Sequence, residues 1–186
     1  MELVELFSLV GRDLHEGGMV TSHGGNLSVR RGQRLIITRT GAMLGHLGEG
    51  DLVELSLDDK FHPQASRELP LHKAVYRNTQ AGALVHAHPP YTIALSLSHA
   101  WIEPVDAEGA LVLPRVPVVE VENPIGSQEV AQAVARALVN FPVMVVKGHG
   151  SFARGRDLLE AYHYTSVLEA SSRILWLVGG ITPPSS

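Results

Sequence analysis

Residues Ala83-Leu84-Val85-His86-Ala87-His88-Pro89-Pro90 are the sharpest local feature of this 186-residue chain. The short apolar run predicts a strand over 83–88, and the two prolines end it because proline cannot donate to a strand ladder. Side chains two positions apart on a strand point to the same face, so His86 and His88 can converge on one ion at the rim of a sheet. Two rim histidines that only make hydrogen bonds are the alternative interpretation.

A second buried strand is predicted over 143–146, and it leads into Lys147-Gly148-His149-Gly150. The glycines beside His149 let the backbone approach a site closely, although a turn with a solvent-facing histidine has the same pattern. Three histidines at strand ends resemble the ligand set of a catalytic zinc, which takes three protein ligands and keeps a position for substrate.

A carboxylate is then needed as a base, and Glu68 is the leading candidate. It lies in Ser66-Arg67-Glu68-Leu69-Pro70, just ahead of a predicted helix. Backbone N–H groups and the positive end of the helix dipole gather anions at such a position. A glutamate that serves only the first turn of its helix would look the same in the sequence.

Two glycine-containing turns have the composition of anion sites. They are Gly24-Gly25-Asn26 and Arg39-Thr40-Gly41, and both adjoin predicted strands. Their N–H groups, hydroxyl and amide can form a concave site for an anion. Each is also an ordinary turn composition.

Composition sets the wider limits. The length and a hydrophobic share of 45% predict one globular domain over 1–186, with 181–186 as a loose tail. There is no cysteine, which excludes a disulfide scaffold, a zinc ribbon and a thiol nucleophile. Ten histidines remain, so a transition-metal site would have to use histidine and carboxylate.

Charge and hydropathy limit partners and location. The net charge is −4 and no basic block occurs, so no nucleic-acid partner is expected. Glu2 and Glu5 interrupt the first apolar run, unlike in a signal peptide. No stretch of about 18 uncharged apolar residues suggests a membrane span. We therefore expect a cytoplasmic protein without a membrane partner.

Periodicity predicts alternating helices and strands joined partly by hairpins. A purely parallel doubly wound sheet fits this poorly, so we expect an α/β three-layer (αβα) fold with a central, mostly antiparallel sheet flanked by helices. An extended, proline-broken segment is expected over 111–121. The predicted helices cover 1–15, 70–76, 91–97, 128–139 and 157–178, and the further strands cover 27–30, 34–38 and 52–57.

Five motifs together resemble the class II aldolase/adducin family, most closely its L-fuculose-1-phosphate aldolase branch. They occur in the family's order and spacing across nearly the whole chain: Gly24-Gly25-Asn26-Leu27-Ser28-Val29-Arg30, Thr38-Arg39-Thr40-Gly41, Ser66-Arg67-Glu68, His86-Ala87-His88-Pro89 and Gly148-His149-Gly150.

The resemblance implies an enzyme and its parts. It implies one Zn²⁺ per subunit bound by His86, His88 and His149, with Glu68 alternating between fourth ligand and catalytic acid/base. It implies reversible cleavage of a ketose 1-phosphate, similar to L-fuculose 1-phosphate, into dihydroxyacetone phosphate and an aldehyde through a metal-stabilised enediolate. It also implies a homotetramer with interfacial active sites. The implied phosphate pocket consists of Gly25, Asn26, Thr40, Gly41, Ser66 and Arg67.

The chain departs from the branch in two places. Arg67 stands where the fuculose-phosphate enzymes have a second serine, and the tyrosines that serve the aldehyde end are absent from 106–112 and from 181–186. Asp106 or Glu108 could replace them, or could be surface charges. The alternatives are a pentulose-phosphate 4-epimerase or methylthioribulose-phosphate dehydratase on the same scaffold, or an adducin-like binding module, which the complete histidine trio disfavours.

Overall fold

The computed structural model describes residues 2–59 and 61–181, and over these ranges eight strands form one sheet. Their order across the sheet is β3-β2-β1-β4-β8-β7-β6-β5. The strands are β1 (Asn26–Arg31), β2 (Arg34–Thr38), β3 (Leu52–Ser56), β4 (Ala83–Ala87), β5 (Trp101–Ile102), β6 (Val116–Val119), β7 (Val143–Val146) and β8 (Gly150–Gly155).

Six α-helices accompany the sheet in the described ranges. Leu44–His46 and Glu49–Asp51 add two short 3-10 turns before β3. The helices are α1 (Leu3–Glu16), α2 (Leu69–Asn78), α3 (Pro90–Ser96), α4 (Ala107–Val112), α5 (Gln128–Asn140) and α6 (Leu158–Ile181). None of the helices in these ranges is both long and apolar enough to cross a membrane.

The sheet is mixed, which refines the expected topology. Six of its pairings among described residues are antiparallel, and the pairing of β6 with β7 is parallel. The parallel pair arises because α5 carries the chain from the end of β6 back to the start of β7, a crossover that a parallel connection requires.

Helices cover both faces of the sheet, as alternate residues of β4 show. Leu84 is buried in a cluster with α2 and α5, whereas Ala83 and Val85 are buried in a cluster with α1 and the start of α6. Neighbouring side chains of a strand point to opposite faces, so both faces of β4 are apolar and both need a helix. This burial from both sides holds the His86 end of β4 in place.

Three elements differ from expectation. Strand β8 is absent from the predicted strands, although it lies between β4 and β7. The segment 107–112 is helix α4, which corrects the loop and extended structure expected there, because Asp106 caps this helix by accepting the Gly109 N–H at 2.8 Å. Residue 181 ends α6, and the rest of the predicted tail, 182–186, lies outside the described residues.

Candidate metal and substrate site

His86 lies on the central strand β4, and its ring is held on two sides. The side chain is 2% exposed, and its Nδ1 donates to the Ser151 carbonyl of β8 at 3.0 Å. The ring stacks on Phe152 with centroids 4.1 Å apart. A carbonyl oxygen only accepts, so Nδ1 carries the proton and Nε2 presents a bare lone pair.

The other two histidines of the predicted trio converge on His86. The Nε2 atoms of His86 and His88 are 3.0 Å apart, and the ring centroids of His86 and His149 are 4.8 Å apart. One ligand atom from each of the three lies within 4.8 Å of the others. Gly148 has φ +68°, which lets the β7–β8 turn bring His149 back over the sheet edge.

The trio is held in its neutral, metal-binding form. Burial, and then the neighbouring imidazoles, hold the pKa of His86 well below its usual value. Burial also lowers the pKa of His88, and burial together with His88 lowers the pKa of His149 to about 4. Neutral imidazole nitrogens are the atoms that bind a transition metal.

The trio fits a transition-metal ion. Zinc–nitrogen bonds of 2.0–2.1 Å in a tetrahedron place ligand nitrogens about 3.3 Å apart. The 3.0 Å between the His86 and His88 nitrogens is close to that spacing. A shared cation or a shared proton satisfies two Nε2 atoms that face one another at this distance.

Glu68 stands directly against the trio. It is the residue before α2, and its carboxylate oxygens lie 3.5 Å from His86 Nε2 and 3.8 Å from His149 Nε2. Burial raises the pKa of Glu68 to about 7, and the hydrogen bond from Asn26 opposes that rise. A group with this pKa can hold or release a proton near neutral pH, as a general acid/base must.

The six residues predicted for the phosphate pocket line the same cleft as Glu68 and the trio. The cleft has a volume of about 400 Å³, within the range of small-molecule sites. Arg67 is exposed at its wall, whereas the Thr40 N–H already donates to the Gln64 carbonyl at 2.8 Å. The lining residues are His23, Gly24, Gly25, Asn26, Arg39, Thr40, Gly41, Ala42, Ser66, Arg67, Glu68, His86, His88, Ile125 and His149.

Asn26 connects the residues predicted to bind phosphate with those predicted to bind metal. Its Nδ2 donates to Glu68 Oε2 at 3.2 Å, and its Oδ1 lies 2.5 Å from His72 Nε2. An amide NH₂ has two hydrogens, so one N–H remains for a ligand in the cleft. His72 and Tyr76 lie outside the five sequence motifs; the signal for them is their position four and eight residues after Glu68.

Gly25 is required for the turn that forms the floor of the cleft. Its φ is +76°, and a Cβ there would lie 2.7 Å from the His86 carbonyl oxygen and 2.8 Å from Val20 Cγ1. We expect Gly25→Ala to lower the free energy of unfolding by more than about 1 kcal/mol, through strain and overlap together.

Two matched glycine variants separate these two causes by chemical denaturation. Gly32 has φ +59° with open space around it, and Gly50 has neither a positive φ nor a near neighbour. The expected order of destabilisation is Gly25→Ala, then Gly32→Ala, then Gly50→Ala. An equal effect of Gly25→Ala and Gly50→Ala would show that the turn does not need glycine.

Asp106 and Glu108, the predicted substitutes for the missing tyrosines, are not among the residues of this cleft. The Asp106 side chain instead caps the start of α4. His23 lines the cleft instead, with its Nδ1 2.9 Å from Ser22 Oγ. The structure therefore offers no support for an acidic group from 106–108 at the aldehyde end.

Known proteins share both the sequence and the fold. A solved L-fuculose-1-phosphate aldolase from Thermus thermophilus is 38% identical, with a TM-score of 0.93 and 98% of each chain covered. An L-fuculose phosphate aldolase of Methanocaldococcus jannaschii is 31% identical over 92% of this chain and 94% of its own. A 3-oxo-tetronate 4-phosphate decarboxylase of Haemophilus influenzae is 29% identical over 95% and 88%.

The sequence model described as the class II aldolase and adducin N-terminal domain matches residues 5–176. The match contains all five motifs and every residue of the trio, Glu68 and the cleft turns. The resemblance seen in the sequence is therefore confirmed, and the chain belongs to the class II aldolase and adducin N-terminal domain family.

Proposed function

We propose that this protein is a zinc-dependent lyase that reversibly cleaves a ketose 1-phosphate, similar to L-fuculose 1-phosphate, into dihydroxyacetone phosphate and an aldehyde. The observation that carries the proposal is the position of Glu68, whose carboxylate contacts two members of the histidine trio inside a cleft that the residues predicted to bind phosphate also line. The presence of the three histidines and of Glu68 argues against a binding module without catalytic activity.

Three histidines and one carboxylate would hold the metal. His86, His88 and His149 supply neutral nitrogens, and Glu68 is near enough to act as a fourth ligand that substrate displaces. When bound, a divalent ion supplies Lewis-acid polarisation of the substrate carbonyl and stabilises the negative charge that develops there. Nitrogen and carboxylate ligands suit several divalent ions, so zinc is a proposal about identity.

Glu68 moves the proton. In the condensation direction its carboxylate takes the proton from the substrate carbon beside the carbonyl, that carbon then bonds to the aldehyde carbon, and the aldehyde oxygen takes up a proton from solvent to become a hydroxyl. In cleavage that hydroxyl gives its proton to solvent as the carbon–carbon bond breaks, and Glu68 returns a proton to the carbon that is left. The burial that raises its pKa to about 7 makes both directions accessible near neutral pH.

The glycine-containing turns and Ser66-Arg67 of the same cleft would hold the phosphate. Gly25, Gly41 and Ser66 offer main-chain and hydroxyl groups, and the exposed Arg67 offers a guanidinium. The Ser66 hydroxyl already accepts the Glu68 N–H at 3.2 Å, so its own hydrogen is free to be donated outward. A phosphate held there places the carbonyl end of a short sugar toward Glu68.

Arg67→Ala tests the phosphate assignment. Loss of a charge-assisted hydrogen bond, about 1.5–3 kcal/mol, should raise KM for a phosphorylated substrate about 10- to 100-fold and change kcat much less. KM for the unphosphorylated ketose should not change. Arg34→Ala, an exposed arginine paired with Glu54, is the control. Equal effects on both substrates would remove Arg67 from the pocket.

A substrate panel tests the reaction itself, because the comparisons include more than one activity. The purified protein is given L-fuculose 1-phosphate, a pentulose 5-phosphate, methylthioribulose 1-phosphate and 3-oxo-tetronate 4-phosphate, and the products are identified by mass spectrometry. We expect dihydroxyacetone phosphate from the first. Epimerisation, dehydration or decarboxylation at a higher kcat/KM would replace the aldolase assignment with the corresponding sister activity.

Several expectations stay predictions. They are the three-layer description, the single domain over 1–186, the cytoplasmic location and the homotetramer with interfacial sites. Exposed apolar side chains near the end of α6, among them Trp176 and Leu177, support a contact between subunits. The mass of the protein in solution tests the tetramer.

A further inference from the structure

Helix α2 and strand β1 face each other through polar side chains of matched spacing. Glu68, His72 and Tyr76 follow one another at intervals of four residues along α2, and Asn26 and Ser28 lie two apart on β1. Each interval keeps side chains on one face of its element. All five side chains are buried, so each polar atom needs a partner inside the protein.

These five residues form one continuous hydrogen-bond chain, here called the α2–β1 chain. Tyr76 Oη lies 2.7 Å from Ser28 Oγ, and Ser28 Oγ lies 2.6 Å from His72 Nδ1. His72 Nε2 lies 2.5 Å from Asn26 Oδ1, and Asn26 Nδ2 donates to Glu68 Oε2 at 3.2 Å. The chain therefore runs from the buried Tyr76 to the carboxylate in the cleft.

The end at Glu68 sets the direction of the first two bonds. When Glu68 is ionised it only accepts, so Asn26 must then turn its NH₂ group toward Glu68 and its carbonyl oxygen toward His72. The opposite amide orientation would place two acceptors against each other. His72 Nε2 must then carry a hydrogen, because the Asn26 oxygen cannot donate.

The donor and acceptor of each remaining hydrogen bond can be assigned because His72 is neutral. Its side chain is fully buried, and that burial lowers its pKa to about 3, so the ring carries one proton only. With that proton on Nε2, Nδ1 is an acceptor, and the Ser28 hydroxyl must donate to it. Ser28 Oγ in turn accepts from the Tyr76 hydroxyl. Every group in the α2–β1 chain thus has one assignment.

We propose that His72 and Ser28 are positioning residues: they lock the Asn26 amide with its NH₂ group toward Glu68 and thereby fix the orientation of the Glu68 carboxylate. Tyr76 closes the chain at its far end. Without the His72 N–H, the Asn26 amide can rotate and present its oxygen to Glu68, which repels the carboxylate from its place. Asn26 is only one of the six residues predicted to bind phosphate, so the loss falls mainly on turnover and less on substrate binding.

The first experiment needs no substrate and no metal. Nitrogen-15 NMR of the metal-free protein at alkaline pH, where Glu68 is ionised, reports which ring nitrogen of each histidine is protonated, and His72→Gln identifies the His72 signals by their loss. We expect a neutral His72 with the hydrogen on Nε2. A hydrogen on Nδ1, or a cationic ring, would overturn the proposal.

The second experiment rests on the proposed function and separates turnover from binding. Supporting groups around a metal site typically contribute 10- to 100-fold, so His72→Leu should lower kcat by about that factor and raise KM by a smaller factor, since five of the six predicted phosphate residues are untouched. His72→Gln keeps an N–H for Asn26 and should recover most of the loss. Metal content should equal that of the unaltered protein, since the trio is untouched.

Thr165→Val is the matched control, since Thr165 is a buried side chain whose hydroxyl donates within α6 to the Ala161 carbonyl. It should leave kcat unchanged. Unaltered kcat in His72→Leu, or equal losses in His72→Leu and His72→Gln, would overturn the proposal. Ser28→Ala repeats the test with a smaller change if His72→Leu does not fold. Absence of turnover in the unaltered protein would refute the proposed function, and the tautomer measurement would still decide the role of His72.

Discussion

Glu68→Gln should keep its metal and lose about 10²- to 10⁴-fold in kcat, the usual contribution of a general acid/base. Glutamine preserves the size and the polar contacts of the side chain but cannot accept the proton. The trio retains the metal, so metal content should match that of the unaltered protein. Replacing a buried carboxyl group with a neutral amide should leave the melting temperature equal or higher, because burial disfavours the charge.

Glu54→Gln is the control for this prediction, since Glu54 is exposed and pairs with Arg34 on the surface. Both variants are compared by steady-state kinetics and by metal analysis on the same preparations. If Glu68→Gln turned over substrate within about twofold of the unaltered protein, Glu68 could not be the group that moves the proton. Loss of metal from Glu68→Gln would instead mean that the trio alone does not hold it.

His86→Ala should abolish both metal binding and turnover. A supporting group alone can cost 10- to 100-fold in metal affinity, so removal of a ligand should exceed about 100-fold. The variant also loses the stacking on Phe152 and the bond to the Ser151 carbonyl. Truncation of a buried side chain of this size to alanine typically costs about 2–5 kcal/mol of unfolding free energy.

His88→Ala separates the loss of metal from the loss of stability, because His88 lies beyond the end of β4 and is only half-buried. It should lose metal as His86→Ala does, with a smaller change in the stability of the metal-free protein. His163→Ala, an exposed histidine on α6, should change neither. Metal bound at full occupancy by His86→Ala, measured by elemental analysis, would refute the predicted ligand set.

Much of the site could be predicted because its signals are local. His86 and His88 share a strand face through their spacing, and the prolines after them mark the sheet edge. His149 follows a short apolar strand, and Glu68 precedes a helix with proline in its first turn. Such patterns can be recognised in the sequence because buried strands and helix starts each require particular residue types in a particular order.

The parts that were missed depend on contacts between distant segments. Strand β8 consists of two glycines, a serine, a phenylalanine, an alanine and an arginine, a composition without strong strand preference; it is a strand because β4 and β7 pair with it on both sides. The α2–β1 chain joins residues 42 to 48 positions apart. Helix α4 depends on a single capping aspartate. The motifs also do not indicate the decarboxylase activity found among the relatives.

Release of dihydroxyacetone phosphate from L-fuculose 1-phosphate, before and after metal removal, tests the central claim most directly. The protein is stripped by a chelator, dialysed, and assayed again after one equivalent of Zn²⁺ is returned. We expect release to stop in the stripped protein and to return with zinc, in proportion to bound metal. Release at the original rate by protein shown to be metal-free would contradict it.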